Sequence, residues 1–385
     1  MKILIGAVIS LHPFSPGNAW NRLHYALGFR DLGHDVYYLE EVEPRACIDR
    51  HGRPCRFEES VNREYFRTVM DSFGFTDRAC QIYDRGEATA GLSLSAVAAL
   101  AREADLLLNI SGHVRTLAVL ENARLRVYLD QDPVYTQLWH AEYGKEFNFT
   151  GHDVYFTVGL NIGTPHTDIP DCGVRWNHTL PPVVLGHWPV RHDPAAARFT
   201  TVASLGRYSD LSYRGEWYRS KFEELMRYAD LPQRTGQGME AALKGYSEDD
   251  PDLRPLRDGG WSVFDAARLA DLSAHREYIA GSRAEVGIAK HAYVHGRSGW
   301  FSDRSAVYLA SGKPVLTQAT GFERYLPAGR GLVAFADAGE AAAGVESINR
   351  DYPAHCRAAR ALAEEYLDHR KVLPALLEAC SWVPA

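Results

Sequence analysis

The sequence predicts an α/β protein built from two Rossmann-like, doubly wound domains that face each other across a cleft. Its 385 residues are about twice the length of a typical domain, so two hydrophobic cores are expected. Each half of the chain contains short apolar segments of strand length, with segments of helical spacing between them. Alternating strands and helices of this kind form parallel sheets, and ligands bind at the carboxyl ends of their strands.

The first forty residues contain one complete strand–helix–strand unit. Residues 2–10 form an apolar run of strand length, residues 18–32 have helical spacing, and residues 34–40 resume as a strand. Gly33 is expected to end the helix, because glycine readily adopts left-handed backbone angles. A further helix is predicted over residues 93–104, with strands over residues 105–110 and 126–129.

The second half of the chain predicts another sheet after an irregular region. Residues 168–194 are rich in Pro, Gly, Trp and His and have no clear period, which is typical of a connection between domains. Strands are then predicted near residues 199–204, 261–264, 285–289, 314–317 and 331–335, with helical stretches between them. The expected organisation is a first domain over 1–190, a second over 198–352, and a helical tail over 353–385 that packs back on the first.

Composition argues against several classes of partner. The net charge of −7 disfavours a nucleic-acid surface, since neutralising phosphates needs clustered Lys and Arg. No segment is long and apolar enough to span a bilayer, and the N-terminal run lacks the features of a signal peptide. The six cysteines are scattered without the spacing of a zinc or redox site. A cytoplasmic protein is therefore expected, while its oligomeric state is not fixed by the sequence.

The most informative segment, residues 296–321, predicts an anion-binding helix. A glycine-containing loop leads to Ser302 and Asp303, both good N-caps, and then to a predicted helix over residues 304–311 that Gly312 ends. The free N–H groups of the first helical turn attract an anion, and Arg297 and Arg304 add positive charge. The segment therefore predicts a phosphate site, with an ordinary capped helix as the alternative. Two serines of the same segment are further candidate contacts: Ser298 and Ser305.

The run YLASGKPVL at 308–316, followed by TQATG at 317–321, resembles the donor-binding half of GT-B glycosyltransferases. The likeness is to the group 1-like members with a CgeB/YkvP-like C-terminal domain. It covers the last third of the chain by motif and the rest only in layout. The resemblance implies the GT-B fold, a nucleoside-diphosphate sugar as donor, a soluble acceptor, and no cofactor or bound metal.

A second part of the resemblance follows the first strand of the second domain. Family members often have Gly-Arg there, matched by Gly206 and Arg207, and a basic residue that also reaches the diphosphate. That residue is either Arg214 or Lys221, and a solvated surface charge explains Lys221 equally well.

The chain departs from the family at the two glutamates of many retaining members. Gly299 and Val307 occupy their places, so both the ribose contact and the retaining mechanism are in doubt. Asp303 lies one turn before Val307 on the same helix face and is an alternative ribose contact.

Several polar residues follow predicted strands and should line the cleft. Lys290 follows one strand of the second domain, and Gln318 and Thr320 follow another, where they are candidate contacts to phosphate or sugar. In the first domain, Gly17 and Asn18 open the first helix and suit a close approach to a substrate. The spacing of a G-x-G-x-x-G fingerprint is missing there, which disfavours a nicotinamide enzyme.

The candidate catalytic residues are His113, Asp132 and His12, which follow strands of the first domain, and His24 competes with His12 and His113 for the role of base. A histidine or aspartate there could deprotonate an acceptor hydroxyl. Asp130 and Asp132 also resemble the metal–diphosphate motif of the other glycosyltransferase fold. They lie in the domain opposite the phosphate site, so no metal site is predicted.

The function predicted from the sequence is sugar transfer from a nucleoside-diphosphate sugar to a hydroxyl group. Two alternatives remain open. The first is a nucleotide-sugar epimerase of the same fold, which needs no separate acceptor. The second is an inactive nucleotide-binding protein, which the missing glutamate pair makes credible.

Overall fold

The computed structural model describes residues 1–146, 148–191, 193, 195–206 and 210–381, and it contains two large sheets. The first has the order β4-β3-β2-β1-β5-β6-β7-β8, and all its described pairings are parallel except β3 with β4. Its strands are β1 (Lys2–Gly6), β2 (Asp35–Val42), β3 (Ala79–Tyr83), β4 (Ala88–Gly91), β5 (Leu106–Ile110), β6 (Arg126–Asp130), β7 (Val154–Thr157) and β8 (Trp176–His178).

The second sheet begins at Phe199 and is entirely parallel in its described part, with the order β13-β12-β9-β14-β15-β16. An antiparallel hairpin, β10-β11, is inserted after its first strand. The strands are β9 (Phe199–Ser204), β10 (Leu211–Tyr213), β11 (Glu216–Tyr218), β12 (Met239–Lys244), β13 (Trp261–Asp265), β14 (Ala284–Gly287), β15 (Val315–Gln318) and β16 (Leu332–Phe335). Two parallel α/β sheets confirm the predicted fold class.

The helices connect these strands in the order expected for parallel sheets. Those of the first half are α1 (Pro16–Asp31), α2 (Val61–Ser72), α3 (Leu94–Glu103), α4 (Leu117–Leu120) and α5 (Tyr135–Ala141). The second half adds α6 (Phe222–Met226), α7 (Leu231–Thr235), α8 (Arg254–Asp258), α9 (Leu272–Gly281), α10 (His291–His295), α11 (Asp303–Ala310), α12 (Ala338–Arg350), α13 (Tyr352–Leu362) and α14 (His369–Cys380). Gly33 and Gly312 follow α1 and α11 with φ of +85° and +69°, as left-handed helix ends require.

The two halves share hydrophobic cores. One large core joins the first sheet and α1 to buried residues of α9, α11 and α14. A second joins aromatic residues of the first half, such as Tyr128, Tyr135 and Trp176, to Tyr213 and Tyr293 of the second. The halves are therefore held together by continuous apolar packing as well as by the chain that links them.

The C-terminal helices cross back over the first sheet. After α13 the chain makes one π-helical turn, Ala363–Leu367, and then forms α14, which packs on α1. A side chain at Gly28 of α1 would meet Leu373 and His369, so glycine allows the two helices to approach closely. Val183 donates its N–H to the Leu367 carbonyl at 2.7 Å, and the two segments are thereby joined.

In the described part of the chain, no helix combines the length and the apolar character that crossing a membrane would require.

Candidate functional site

The carboxyl ends of the two sheets meet at a polar cleft that an ion pair bridges. Asp132 lies in the loop after β6, and Lys290 precedes α10 after β14. The Lys290 Nζ lies 2.5 Å from Asp132 Oδ1, which also accepts a hydrogen bond of 2.7 Å from the Tyr293 hydroxyl. The lysine ammonium also lies 4.9 Å from the centre of the Tyr135 ring. The two predicted cleft residues are thus partners across the domain boundary.

This pairing changes the role expected for Asp132. Burial by itself would raise the pKa of its carboxyl, but Lys290 and Tyr293 stabilise the ionised form and hold the pKa below its ordinary value. A carboxylate that is already paired with an ammonium is a poor base for an acceptor hydroxyl. The interpretation of Asp132 as a catalytic base is therefore corrected to that of a residue that fixes Lys290.

Asp130 is a structural residue. Its buried carboxylate accepts hydrogen bonds from the side chains of Thr136, Gln137 and Thr157 at 2.6–3.0 Å. It also accepts the backbone N–H of Asp132, so it shapes the loop that carries the cleft residue. Among the described residues there is no group of three or more His, Cys, Asp or Glu arranged to hold a metal ion.

His113 lies on the first-domain side of the cleft, after β5. Burial, with the positive charges of Arg22 and Arg115, lowers its pKa to about 3, while the charge of Asp132 opposes the shift. The imidazole is therefore neutral near pH 7. No described residue forms a hydrogen bond with its ring, so both ring nitrogens are open to a substrate.

His12 lies at the neighbouring β1–α1 loop and is solvent-exposed. The protein around the imidazole removes part of its solvent and lowers its pKa, and the charges of Lys244 and Arg22 lower it further. Lys244 ends β12, and its ammonium donates to the Ser15 hydroxyl of the same loop. This loop therefore forms a second contact between the domains at the cleft.

Arg22 is a cleft residue that the sequence pattern did not single out. It lies on α1, and its charge acts on His12, His113 and Asp132. Its Nε is buried without a hydrogen-bond partner, and it makes no ion pair with the described residues. The signal in the sequence was its position one helical turn after Asn18, on the same face of the helix.

The two predicted residues at the start of α1 differ in what they contact. The Asn18 side chain donates to the Val8 carbonyl at 3.0 Å and so ties the helix to the end of β1. Gly17 lies beside His275 of α9, where a Cβ atom on this residue would be 3.7 Å from that ring, so it faces the other domain. Asn18 is thus engaged by the protein, and Gly17 borders the second domain.

Lys221 lies in the second-domain wall of the cleft, and none of the described residues pairs with its side-chain nitrogen. Burial, followed by the charges of Arg304 and Lys290, holds its pKa well below its ordinary value, while Glu285 and Asp303 act in the opposite direction. Arg214, the alternative, lies at the exposed turn of the β10-β11 hairpin, 5.0 Å from the Tyr213 ring centre. The structure therefore favours Lys221 over Arg214 as the basic cleft residue, and Arg207 lies outside the described residues.

The side chain of Arg304 is turned into the protein. Its Nε pairs at 2.5 Å with Oε1 of Glu285, a fully buried carboxylate on β14, and one terminal nitrogen donates to the Val202 carbonyl at 2.7 Å. Arg304 was predicted to contact a phosphate directly. That expectation is corrected, because its hydrogen bonds neutralise a buried carboxylate and tie α11 to two strands.

The glycine-containing loop before α11 packs on the first domain. A side chain at Gly299, where φ is +74°, would lie 2.7 Å from the Asn161 nitrogen, so only glycine fits. The Ser298 carbonyl accepts the Asn161 N–H, and the Arg297 carbonyl accepts the Asn161 side-chain amide at 2.7 Å. The loop is thus a domain contact rather than a phosphate cradle, and the exposed Arg297 side chain lies at its surface.

The serines of this segment also have structural partners or positions. Ser298 is buried and donates to the Tyr293 carbonyl at 3.3 Å. Ser302 caps α11 by accepting the Arg304 N–H, and Ser305 is fully buried with an unpaired hydroxyl. Asp303 has no described hydrogen bond, and its charge acts on Lys221 and on Tyr25 of the first domain. Asp303 therefore faces the cleft, whereas the serines support α11.

Gln318 and Thr320 were predicted to bind sugar hydroxyls, and the structure corrects this. The Gln318 amide donates to Glu224 at 2.6 Å, and its oxygen accepts the Ala289 N–H at 3.2 Å. The Thr320 hydroxyl donates to the Trp300 carbonyl at 2.6 Å. Both side chains are buried and hold together the loops that follow β14 and β15.

Whole-chain comparison finds the same architecture in solved structures. HepE from Anabaena, in complex with UDP, is similar with a TM-score of 0.60 and 14% identity, over 99% of this chain and 100% of that one. An α-glucosyltransferase in complex with UDP gives a TM-score of 0.61 at 12% identity, over 99% of this chain and 100% of that one. Sucrose-phosphate synthase from Thermosynechococcus elongatus gives 0.52 at 11% identity, over 98% of each chain.

Comparison by sequence adds nothing to this likeness. No protein-family model matches the chain, and a search of curated proteins found no significant match. At identities this low, structural similarity shows the fold alone. Activity must be argued from the residues of the cleft.

Proposed function

Since the chain has the fold of GT-B glycosyltransferases, we propose that it transfers a sugar from a nucleoside-diphosphate sugar to the hydroxyl group of a soluble acceptor, without a bound metal. The observation that carries the proposal is the free ammonium of Lys221 in the interdomain cleft, close enough to Lys290 and Arg304 for their charges to act on it. Cations that repel one another in a buried cleft favour an anionic ligand.

The diphosphate would lie between the two walls of the cleft. Lys221 and Lys290 approach it from the second domain and Arg22 from the first, with the N-terminus of α11 adding its free N–H groups. These groups stabilise the negative charge that develops on the leaving diphosphate and thereby replace a metal ion in that role.

The reaction breaks the bond between the anomeric carbon and the diphosphate oxygen, and the diphosphate leaves with the electron pair. The acceptor oxygen forms the new bond to the anomeric carbon and loses its proton. His113 is the proposed base, because its imidazole is neutral and unpartnered in the described structure. The pKa of about 3 makes it a weak base in the free protein, and a diphosphate bound beside it would raise that pKa towards the range of an effective base. Asp132 holds the Lys290 side chain in place through their ion pair.

UDP-glucose is the first donor to test, because HepE is solved in complex with it and the α-glucosyltransferase in complex with UDP. The α-glucosyltransferase is also solved with a 13-mer DNA. The net charge of −7 predicts that the acceptor of this chain is not a nucleic acid. The acceptor screen includes a DNA oligonucleotide to test that prediction. The finer resemblance to CgeB/YkvP-like domains stays a prediction.

The test is calorimetric titration of UDP and of other nucleoside diphosphates in the presence of EDTA, followed by assays for nucleoside diphosphate release with mixed acceptors. Binding with EDTA present, and release that depends on an acceptor, support the proposal. Conversion of the donor to an isomer without acceptor would identify an epimerase instead. Binding without turnover would identify a nucleotide-binding protein, and binding only with added metal would overturn metal independence.

A further inference from the structure

A cavity lies between the domains beside the β1–α1 loop, and Phe14 of that loop lines it. It has a volume of about 660 Å³ and is bounded by α2 of the first domain and the start of α9 of the second. Its wall is mainly apolar and aromatic, formed by Phe14, Trp20, Tyr65, Val69, Phe73 and Leu272. This size is within the range of pockets that hold drug-sized ligands, which is about 300–1,000 Å³.

The aromatic wall is held by contacts between the domains. The Trp20 indole donates to the Leu272 carbonyl at 3.2 Å, and its ring meets Phe73 edge-on at 5.4 Å. Phe14 lies 5.4 Å from the Tyr65 ring, yet half of its surface is exposed and its φ is +60°. A bulky residue with left-handed backbone angles and an exposed ring is held there against its intrinsic preferences.

The wall also carries an unsatisfied polar group. Tyr65 is 9% exposed, and its hydroxyl is buried without a hydrogen-bond partner among the residues that the structure describes. A buried hydroxyl without a partner costs free energy, and a ligand that provides an acceptor or donor atom removes that cost.

The charges around the cavity balance. Arg50 and Glu64 form an exposed ion pair at 3.2 Å, and Asp271 and Arg276 add one charge of each sign. An anion or a cation would thus gain little here compared with an uncharged molecule. The cavity is therefore suited to an uncharged ligand that is mainly apolar.

The cavity and the catalytic cleft share one loop. Phe14 faces the cavity, the next residue Ser15 bonds to Lys244, and His12 feels the charges of Lys244 and Arg22 in the cleft. A molecule that lies along Phe14 is therefore next to the loop that carries His12, one of the candidate catalytic residues.

We propose that this cavity binds the uncharged aromatic body of the acceptor, with the Tyr65 hydroxyl bonded to an oxygen of that molecule other than the hydroxyl that receives the sugar. The inference rests on the proposed function, and it narrows the acceptor class to aromatic hydroxyl compounds. The cavity selects the acceptor, while the cleft holds the donor.

The experiment is calorimetric titration of 2-naphthol, as a probe of this chemistry, in the absence of any donor. Thr68→Trp fills the cavity from an exposed position on α2, and Arg67→Trp is the matched control, because Arg67 is exposed on the same helix but does not line the cavity. We expect 2-naphthol to bind the native protein and Arg67→Trp alike, and Thr68→Trp to bind it at least about tenfold more weakly.

Tyr65→Phe separates the hydroxyl from the ring. It should weaken binding of 2-naphthol by about tenfold and leave binding of naphthalene unchanged. UDP titration of the same variants should be unaffected, so failure of the donor site and failure of this proposal are seen separately. The proposal is overturned if 2-naphthol does not bind, if Thr68→Trp binds it normally, or if uridine competes with it for the cavity.

Discussion

The two walls of the cleft use their polar side chains differently. In residues 296–321 of the second domain, the predicted ligands Ser298, Arg304, Gln318 and Thr320 all bond to their own protein. In the first domain, His113 and Arg22 have no hydrogen-bonding or ionic partners of this kind among the described residues. The difference shows that the polar side chains of a motif can form hydrogen bonds within the protein, where they stabilise a loop and are not available to a ligand. Residues that remain unpaired are better candidates for ligand contacts.

The largest effect is expected for His113, which lies on the first-domain side of the cleft and forms no hydrogen bond with a described residue. His113→Asn should lower turnover by roughly a hundredfold to ten-thousandfold, the usual contribution of a general base. Affinity for the nucleoside diphosphate should stay within a few-fold of the native value, since the charges that bind it remain. Steady-state kinetics and calorimetry measure the two quantities, with His51→Asn at an exposed loop as the control. Normal turnover in His113→Asn would remove this residue from the mechanism.

The second prediction concerns Arg304, whose hydrogen bonds are made within the second domain. Arg304→Ala leaves the buried carboxylate of Glu285 without its partner, which should cost about 3–5 kcal/mol of unfolding free energy. Denaturant unfolding measures the loss, and Arg297→Ala, at an exposed position, is the control. Replacing Glu285 by Gln in the same variant should restore much of the stability. If Arg304→Ala is as stable as the native protein but binds UDP weakly, Arg304 contacts phosphate after all.

Lys221, on the second-domain side of the cleft, differs from Arg304 because no described residue pairs with it. Lys221→Met removes a charge that Arg304 and Lys290 repel, so stability should be unchanged or higher. Affinity for UDP should fall about tenfold or more, as expected for loss of a charge-assisted contact worth about 1.5–3 kcal/mol. Calorimetry and thermal unfolding give both values, and Arg214→Met on the exposed hairpin should change neither. Full UDP affinity in Lys221→Met would contradict the diphosphate assignment.

The smallest effect concerns α1, which carries Arg22 on the first-domain side of the cleft. Its buried His24 ring lies 3.1 Å from the Val184 nitrogen and 3.0 Å from the Trp188 indole nitrogen. Burial, with the charges of His187 and His369, lowers the pKa of His24 to about 3, whereas an unfolded histidine has a pKa near 6.5. The unfolded chain therefore binds more protons below pH 6.5, and stability falls as the pH falls from about 6.5 towards 3. One such histidine contributes up to about 1.4 kcal/mol per pH unit in that window.

Denaturant unfolding between pH 7 and pH 5 checks this expectation. His24→Gln should show a shallower pH dependence than the native protein, while His51→Asn, at an exposed position, should keep the native dependence. Identical slopes for His24→Gln and the native protein would show that His24 is not held neutral by the fold.

Much of the fold could be predicted from the sequence, because strongly patterned segments are decided locally. The prediction of a strand at 199–204 agrees with β9, and that of a helix at 304–311 differs from α11 by one residue at each end. The strand β12, with the sequence MEAALK, was missed because its Ala, Glu and Leu favour helix. In the structure β12 pairs with β9 on one side and with β13 on the other, and this pairing overrides the helical preference.

The site was harder to predict for a different reason. The cleft positions of His113, Asp132 and Lys290 follow from strand ends, which a sequence reveals. Whether a side chain is free depends on partners far along the chain, as for Arg304 with Glu285, or Asp132 with Lys290, which is 158 residues away. No local pattern encodes those pairs, so the sequence identified cleft residues without distinguishing ligands from supports.

The β10-β11 hairpin has a mechanical consequence for the donor site. It belongs to the second domain by chain order, yet Ser212 exchanges hydrogen bonds with the Tyr143 hydroxyl of the first domain, and Tyr135 donates to the Arg219 carbonyl at 2.9 Å. Lys221 follows this tether by two residues. Rotation of one sheet against the other would therefore move the segment that carries Lys221, and under the proposed function it would change the affinity for a diphosphate. By thermodynamic reciprocity, a diphosphate bound at Lys221 would oppose that rotation by the same free energy.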